Sequence, residues 1–180
     1  MDTEQISREQ LGYLAGVLDS EGCIEAHWRW YKEGQDGHTK KRCTLVCQVT
    51  ISNSDVRLLK EISTILKKIP GLGFYYTTTK KKDGSTWCIN LNTTGKGSAK
   101  KLLEVTTPYL QAKKDQAETM LELIEYREKL GFMPSRGRET TLQDDPCIQL
   151  YVERLHRLKK DPPSLPSETK RRANQILGSD

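Results

Sequence analysis

The stretch LGYLAGVLDSEGCIEAHW, Leu11–Trp28, changes its period halfway, and no other segment constrains the fold as tightly. In its first half Leu11, Leu14, Ala15 and Leu18 mark one helical stripe. Gly12, Gly16 and Asp19 mark another, with Tyr13 and Val17 beside it. A helix that is apolar on more than one face must be covered on more than one side. Each glycine inside a helix costs about 1 kcal/mol relative to alanine, so a pair four residues apart implies close packing against that stripe. Ser7 and Gln10 form a capping box at the helix start, and Ile6 and Leu11 a hydrophobic staple. From Cys23 the period is two: Ile24, Ala26, Trp28 and Trp30 alternate with Glu25, His27, Arg29 and Tyr31. That is a strand with one buried and one polar face.

The alternation recurs after a polar connection. Leu45, Cys47, Val49 and Ile51 alternate with Thr44, Val46, Gln48 and Thr50, and antiparallel pairing of the two strands is the simplest topology. A helix follows, capped by Asn53 or Ser54, with its stripe on Leu58, Leu59, Ile62, Ile65, Leu66 and Ile69 and its end at Pro70-Gly71. Phe74–Lys80 and Thr86–Asn92, joined across Asp83-Gly84, read as a second hairpin. Ser98 is expected to cap a short helix ending before Pro108. A long helix should run from Lys113 to Leu130 and stop at Gly131, another from Pro146 to about Lys160, and a last basic one from Ser167. The fold class is therefore α+β: an α-ββ-α-ββ-α core over residues 1–131, with a four-stranded antiparallel sheet covered by helices on one face. Residues 132–180 form a helical extension of the same domain.

Composition narrows the function classes. The 180 residues carry 29 Lys and Arg against 24 acids, a net charge of +5. The excess is clustered at Lys40-Lys41-Arg42, Lys80-Lys81-Lys82 and Lys170-Arg171-Arg172. Each cluster alone reads as a solvated loop; several near strand ends favour a polyanion partner. No run of about 18 apolar residues exists to span a membrane, and the N-terminal stretch shows neither an apolar signal segment nor an Arg-rich transit segment. Five cysteines and three histidines complete no zinc pattern, which points to reduced thiols in an intracellular setting. The expected open sheet face carries Glu25, His27, Arg29, Tyr31, Arg42, Thr44, Val46, Gln48, Tyr76, Thr78, Lys80, Thr86, Cys88 and Asn90. It reads equally as an ordinary wet sheet face or as a DNA platform. On a platform, Arg, Gln, Asn and Thr would read base edges while Lys40, Lys41, Lys81 and Lys82 meet phosphates.

The acids at the end of the first helix favour the second reading, because a metal-dependent phosphodiesterase needs carboxylate oxygens to hold Mg2+ beside the scissile phosphate. LAGVLDSEG, Leu14–Gly22, resembles the LAGLIDADG nonamer, with changes at Val17 and Leu18 and Ser20-Glu21 for Ala-Asp. CQVTISNSDVRLLKEI and PYLQAKKDQAE extend the resemblance to that homing endonuclease family, over roughly Gln5 to Leu130. A second nonamer is absent, so the resemblance is to the single-motif, homodimeric branch.

The resemblance implies a site-specific, intron- or intein-associated DNA endonuclease. It implies a homodimer joined through Gly12, Tyr13, Ala15, Gly16 and Asp19, the last accepting N–H groups of the partner helix. Catalysis is implied for Glu21, Lys113 and Asp19, and metal binding for the Glu21 carboxylate and the Ser20 carbonyl. The implied metal is Mg2+, with Mn2+ able to substitute and Ca2+ supporting binding without cleavage. The product would be a double-strand break with short 3′ overhangs in a long pseudo-palindromic site. Two departures stand out: Glu21 in place of Asp, and Ile51 and Asp55 where relatives place Gln and a basic residue. A maturase binding intron RNA, or a non-cleaving DNA-binding regulator, is the alternative on the same fold. An organelle or a prokaryotic cytoplasm is the expected location.

Overall fold

The computed structural model describes residues 5–32, 42–80, 87–131 and 139–160. The elements are α1 (Arg8–Glu21), β1 (Gly22–Tyr31), β2 (Arg42–Asn53), α2 (Val56–Leu66), β3 (Phe74–Lys80), β4 (Trp87–Thr93), α3 (Gly95–Thr106), α4 (Lys114–Lys129) and α5 (Pro146–Lys160). Short 3-10 turns cover Thr107–Tyr109 and Glu139–Asp144. The strands form one antiparallel sheet in the order β1-β2-β4-β3, the α+β class that the alternation predicts. Helices pack on one face. Leu14 and Leu18 of α1, Ile62 and Leu66 of α2, Leu102 and Leu103 of α3, and Met120 and Ile124 of α4 meet Ile24, Val49, Ile51 and Leu91 of the sheet in one core. Each such aliphatic side chain contributes about 1.5–3 kcal/mol by leaving water. No described helix is long and apolar enough to cross a membrane.

Local chemistry sets most element ends. Ser7 and Gln10 form the capping box, Gln10 N–H on Ser7 Oγ and Ser7 N–H on Gln10 Oε1. At the other end α1 passes straight into β1. Gly22 donates to the Leu18 carbonyl, and a Cβ there would lie 2.5 Å from that same oxygen, so only glycine makes the turn. Two caps differ from expectation. Asp55, not Asn53 or Ser54, caps α2, accepting from Arg57 N–H at 2.8 Å; Asn53 instead accepts from the Asp55 N–H. α3 begins at Gly95, so Ser98 lies inside it, where its hydroxyl accepts from the Gly73 N–H and meets Thr94 Oγ1.

The register also corrects the reading of β3. Tyr76 pairs with Leu91, Thr78 with Ile89 and Lys80 with Trp87, which places Tyr76, Thr78 and Lys80 on the helix side of the sheet. The open face takes Tyr75, Thr77 and Thr79, opposite Asn92, Asn90 and Cys88. A slip of one residue flips every side chain. FYYTTTK has no apolar alternation to forbid it; Phe74 packs on the core and meets Tyr76 edge-on, centroids 6.0 Å apart, and so sets the parity.

Candidate nucleic-acid interface and active centre

The open face is built by cross-strand partners. Glu25 lies opposite Gln48, His27 opposite Val46 and Arg29 opposite Thr44, with Tyr31 opposite Arg42 at the far end of the pair. Cys88 and Asn90 join the same face from β4. Expected contacts at Lys40, Lys41, Lys81, Lys82 and Thr86 fall outside the described residues, as does the Arg42 side chain and the cluster at Lys170–Arg172. Gln48 sits on this face but is 7% exposed, because its amide is already used. Gln48 Nε2 donates to Asn92 Oδ1 at 2.8 Å, Thr50 Oγ1 to the same oxygen at 2.9 Å, and Asn92 Nδ2 to Thr77 Oγ1 at 3.1 Å. Ser52 donates to Asn90 Oδ1 at 2.7 Å. These amides and hydroxyls form a preset ladder across β2, β4 and β3. Thr50, Ser52, Tyr75, Thr77, Thr79 and Asn92 are open-face residues that sequence reading left out; Thr50, Ser52 and Asn92 follow from the alternation already found in β2 and β4.

Where β1 leaves α1 the charged groups gather. Asp19 accepts from the backbone N–H of Gln111 at 2.8 Å and of Lys113 at 2.9 Å. Lys113 Nζ returns the contact, donating to the Leu18 carbonyl at 2.9 Å and the Asp19 carbonyl at 2.8 Å. A cation on the terminal carbonyls of a helix is favourably placed. Partial burial pulls the Lys113 ammonium below its ordinary value, opposed by the nearby Asp19, Cys23 and Glu21. Within its own chain Asp19 clasps α1 to the segment that opens α4. An ammonium has three N–H groups, and Lys113 uses two on these carbonyls.

Glu21 is exposed at the helix end and has no hydrogen-bond or ion-pair partner among the described residues. Its carboxylate and the adjacent Ser20 carbonyl are hard oxygen donors of the kind Mg2+ takes. Among the described residues no three acids, histidines or cysteines come together. Next to Glu21, Lys159 of α5 reaches Cys23 Sγ at 3.0 Å and Glu25 Oε2 at 3.4 Å. The hydrogen bond to Cys23, together with the Glu25 carboxylate, holds the Lys159 ammonium above its ordinary value. Sequence reading assigned α5 no part here.

The stripe leading to Glu21 is bare. Gly12, Tyr13, Gly16 and Ser20 are exposed, and a Cβ on either glycine would meet nothing within 4 Å. Ala15 does not belong to this stripe: it is fully buried in the chain's own core, because it faces the same way as Leu18 rather than Gly12.

No protein-family model matches the chain, and no curated protein matches it by sequence. Solved structures do. The homing endonuclease I-CvuI, in complex with the I-CreI target in the presence of magnesium with the DNA not cleaved, is 23% identical at a TM-score of 0.59, covering 96% of this chain and 97% of that one. I-CvuI in complex with its own target in the presence of calcium gives 22% and 0.56, over 94% and 95%. The archaeal intron-encoded homing endonuclease I-Vdi141I complexed with DNA gives 13% and 0.55, over 83% of each chain. The chain thus shares the fold of these homing endonuclease structures. In this fold the nonamer-like stretch Leu14–Gly22 lies on α1, with Glu21 at the helix terminus.

Proposed function

We propose that this protein is a site-specific DNA endonuclease of the intron- or intein-associated kind. It would act as a homodimer that breaks both strands of a long pseudo-palindromic duplex with a divalent metal ion. The observation that carries the reading is the unpartnered Glu21 carboxylate at the end of a helix whose Gly12–Gly16–Ser20 stripe is open to a second copy of α1. A close α1–α1 crossing would bring two Glu21 residues and two Lys113 residues to one centre. Glu21 and the Ser20 carbonyl would hold Mg2+, with phosphate oxygens and the second subunit's acid completing the shell. The ion would supply positive charge at the phosphate and a more acidic bound water.

The chain's own residues then divide the work. Asp19 keeps the Lys113 segment fixed to α1, and the remaining Lys113 N–H faces developing negative charge on the phosphate. The amide ladder around Asn92 and the Arg29, His27 and Thr44 side chains line the major groove, where such groups discriminate base edges. The preset ladder reduces the side-chain entropy lost on binding.

Incubation of Glu21→Gln and wild type with the intron-insertion sequence, in Mg2+ and in EDTA, tests this. Wild type should cut only in Mg2+, and the variant should bind with unchanged affinity and not cut. Cutting by the variant, or wild-type binding without cutting in Mg2+, would refute the reading, the latter in favour of a regulator.

A further inference from the structure

The sheet is incomplete beside the start of α3. β2 pairs with β4 only over Thr50–Asn53; upstream, the Val49 N–H is taken by Thr93 Oγ1 at 3.1 Å and the Leu45 carbonyl by Arg127 Nη1 at 3.1 Å. The gap is a cavity of about 280 Å³ that opens beside Gln48 and Tyr75 on the open face. Among the described residues its lining carries three cations, Arg29, Lys96 and Arg127, and no carboxylate.

Arg127 arrives from α4 and is 6% exposed. Nη1 also meets Cys47 Sγ at 3.5 Å, while Nε is buried without an acceptor. No described carboxylate pairs with this guanidinium. Glu128, next in the chain, is turned to Lys100 at 2.6 Å. Burial pushes the Cys47 thiol up, against the pull of Arg127 and Lys96, so the sulfur stays neutral and supplies no counter-charge. A buried cation left without a counter-charge is strongly unfavourable. The cavity adds a second donor set. Gly95 and Lys96 open the twelve-residue helix α3, Gly95 has φ +73°, and its N-cap Thr94 makes no side-chain capping bond. The first N–H groups of such a helix lack intrahelical acceptors and favour anions.

We propose that this cavity is an oxyanion site for a phosphate-class group, with Arg127 as its floor and Lys96, Arg29 and the α3 N-terminus as its rim. Planar guanidinium and helix N–H groups are the donors that phosphate oxygens take. The group is either a phosphodiester of bound nucleic acid or free inorganic phosphate. The site stands independently of the endonuclease activity, because it is formed within one chain and uses neither Glu21 nor Lys113.

The test uses the full chain, Arg127→Met, which keeps side-chain length without charge, and Lys96→Ala, which leaves the core untouched. Melting temperature is measured in inorganic phosphate and in chloride at matched ionic strength, and DNA affinity against salt concentration in chloride alone. If free phosphate fills the site, phosphate at ten times its Kd raises the wild-type melting temperature by ~3–5 °C; the rise is lost in Arg127→Met and reduced in Lys96→Ala. If a DNA phosphate fills it, both variants lower the salt slope by about one counterion. Either pattern supports the site and identifies the source. Wild type and both variants responding identically in both measurements overturns it. Should Arg127→Met not fold, Lys96→Ala decides on the same two readouts, and wild-type behaviour in both overturns the proposal.

Discussion

Replacing Asp19 by alanine should destabilise the single chain rather than the pairing of two chains. The carboxylate accepts two backbone N–H groups, from Gln111 and Lys113. A hydrogen bond to a charged group contributes about 1.5–3 kcal/mol. Both bonds are at best half-buried, which puts each at the lower end, so the pair should be worth about 2–4 kcal/mol. For a domain of this size that lowers the melting temperature by roughly 5–12 °C. Asp19→Asn keeps one acceptor oxygen but turns an amide N–H toward the other donor, so it should recover one bond at most. Urea unfolding of wild type and Asp19→Ala over a hundredfold range of protein concentration is the assay. The separation of the two midpoints should be independent of concentration. A variant within ~0.5 kcal/mol of wild type, or a deficit that grows on dilution, would refute the clasp and return Asp19 to the subunit interface.

Gly16→Leu should act with opposite signs on fold and assembly. A Cβ added at Gly16 meets nothing within 4 Å among the described residues, and helix propensity improves by about 0.5–1 kcal/mol. Self-association, followed by sedimentation, should weaken by at least about tenfold; an unchanged dimer would contradict the α1–α1 contact. Cys47 gives a pH dependence. Its native thiol titrates above the unfolded one, chiefly through burial. The stability it contributes is therefore complete below the unfolded value of about 8.5 and falls as pH rises toward the native one. Urea midpoints from pH 7 to about 10 should decline more steeply in wild type than in Cys47→Val, and parallel profiles would rule the thiol out.

What could be read from residues alone follows a physical divide. Where side chains alternate strongly between apolar and polar, as in β1 and β2, the faces and the antiparallel pairing were legible. Where a strand is uniformly aromatic and threonine-rich, as in Phe74–Lys80, parity depended on one contact between Phe74 and the core. The motif glycines are bare in the single chain, whereas Ala15, three residues from Leu18 on the buried stripe, could have been separated from them by the helical period alone. Asp19 illustrates the other limit: its backbone N–H donors lie more than ninety residues away in the chain, and no local pattern encodes such a pairing. Arg127 was findable. It continues the spacing Ala117, Met120, Ile124 on α4, so a cation on an apolar stripe was visible before its surroundings were.

The short seam between the two hairpins has its own consequence. β1 and β2 share a ten-residue register and β3 and β4 a seven-residue one, but the hairpins meet through only four residue pairs. Each hairpin thus keeps its own backbone register, and the two are coupled by the Thr50–Asn53 pairs and by the bonds that Gln48 and Val49 make to Asn92 and Thr93. On the proposed duplex-reading role, a substitution at the outer ends of either hairpin should alter its own half of the face first, whereas one at Gln48 or Asn92 should disturb both.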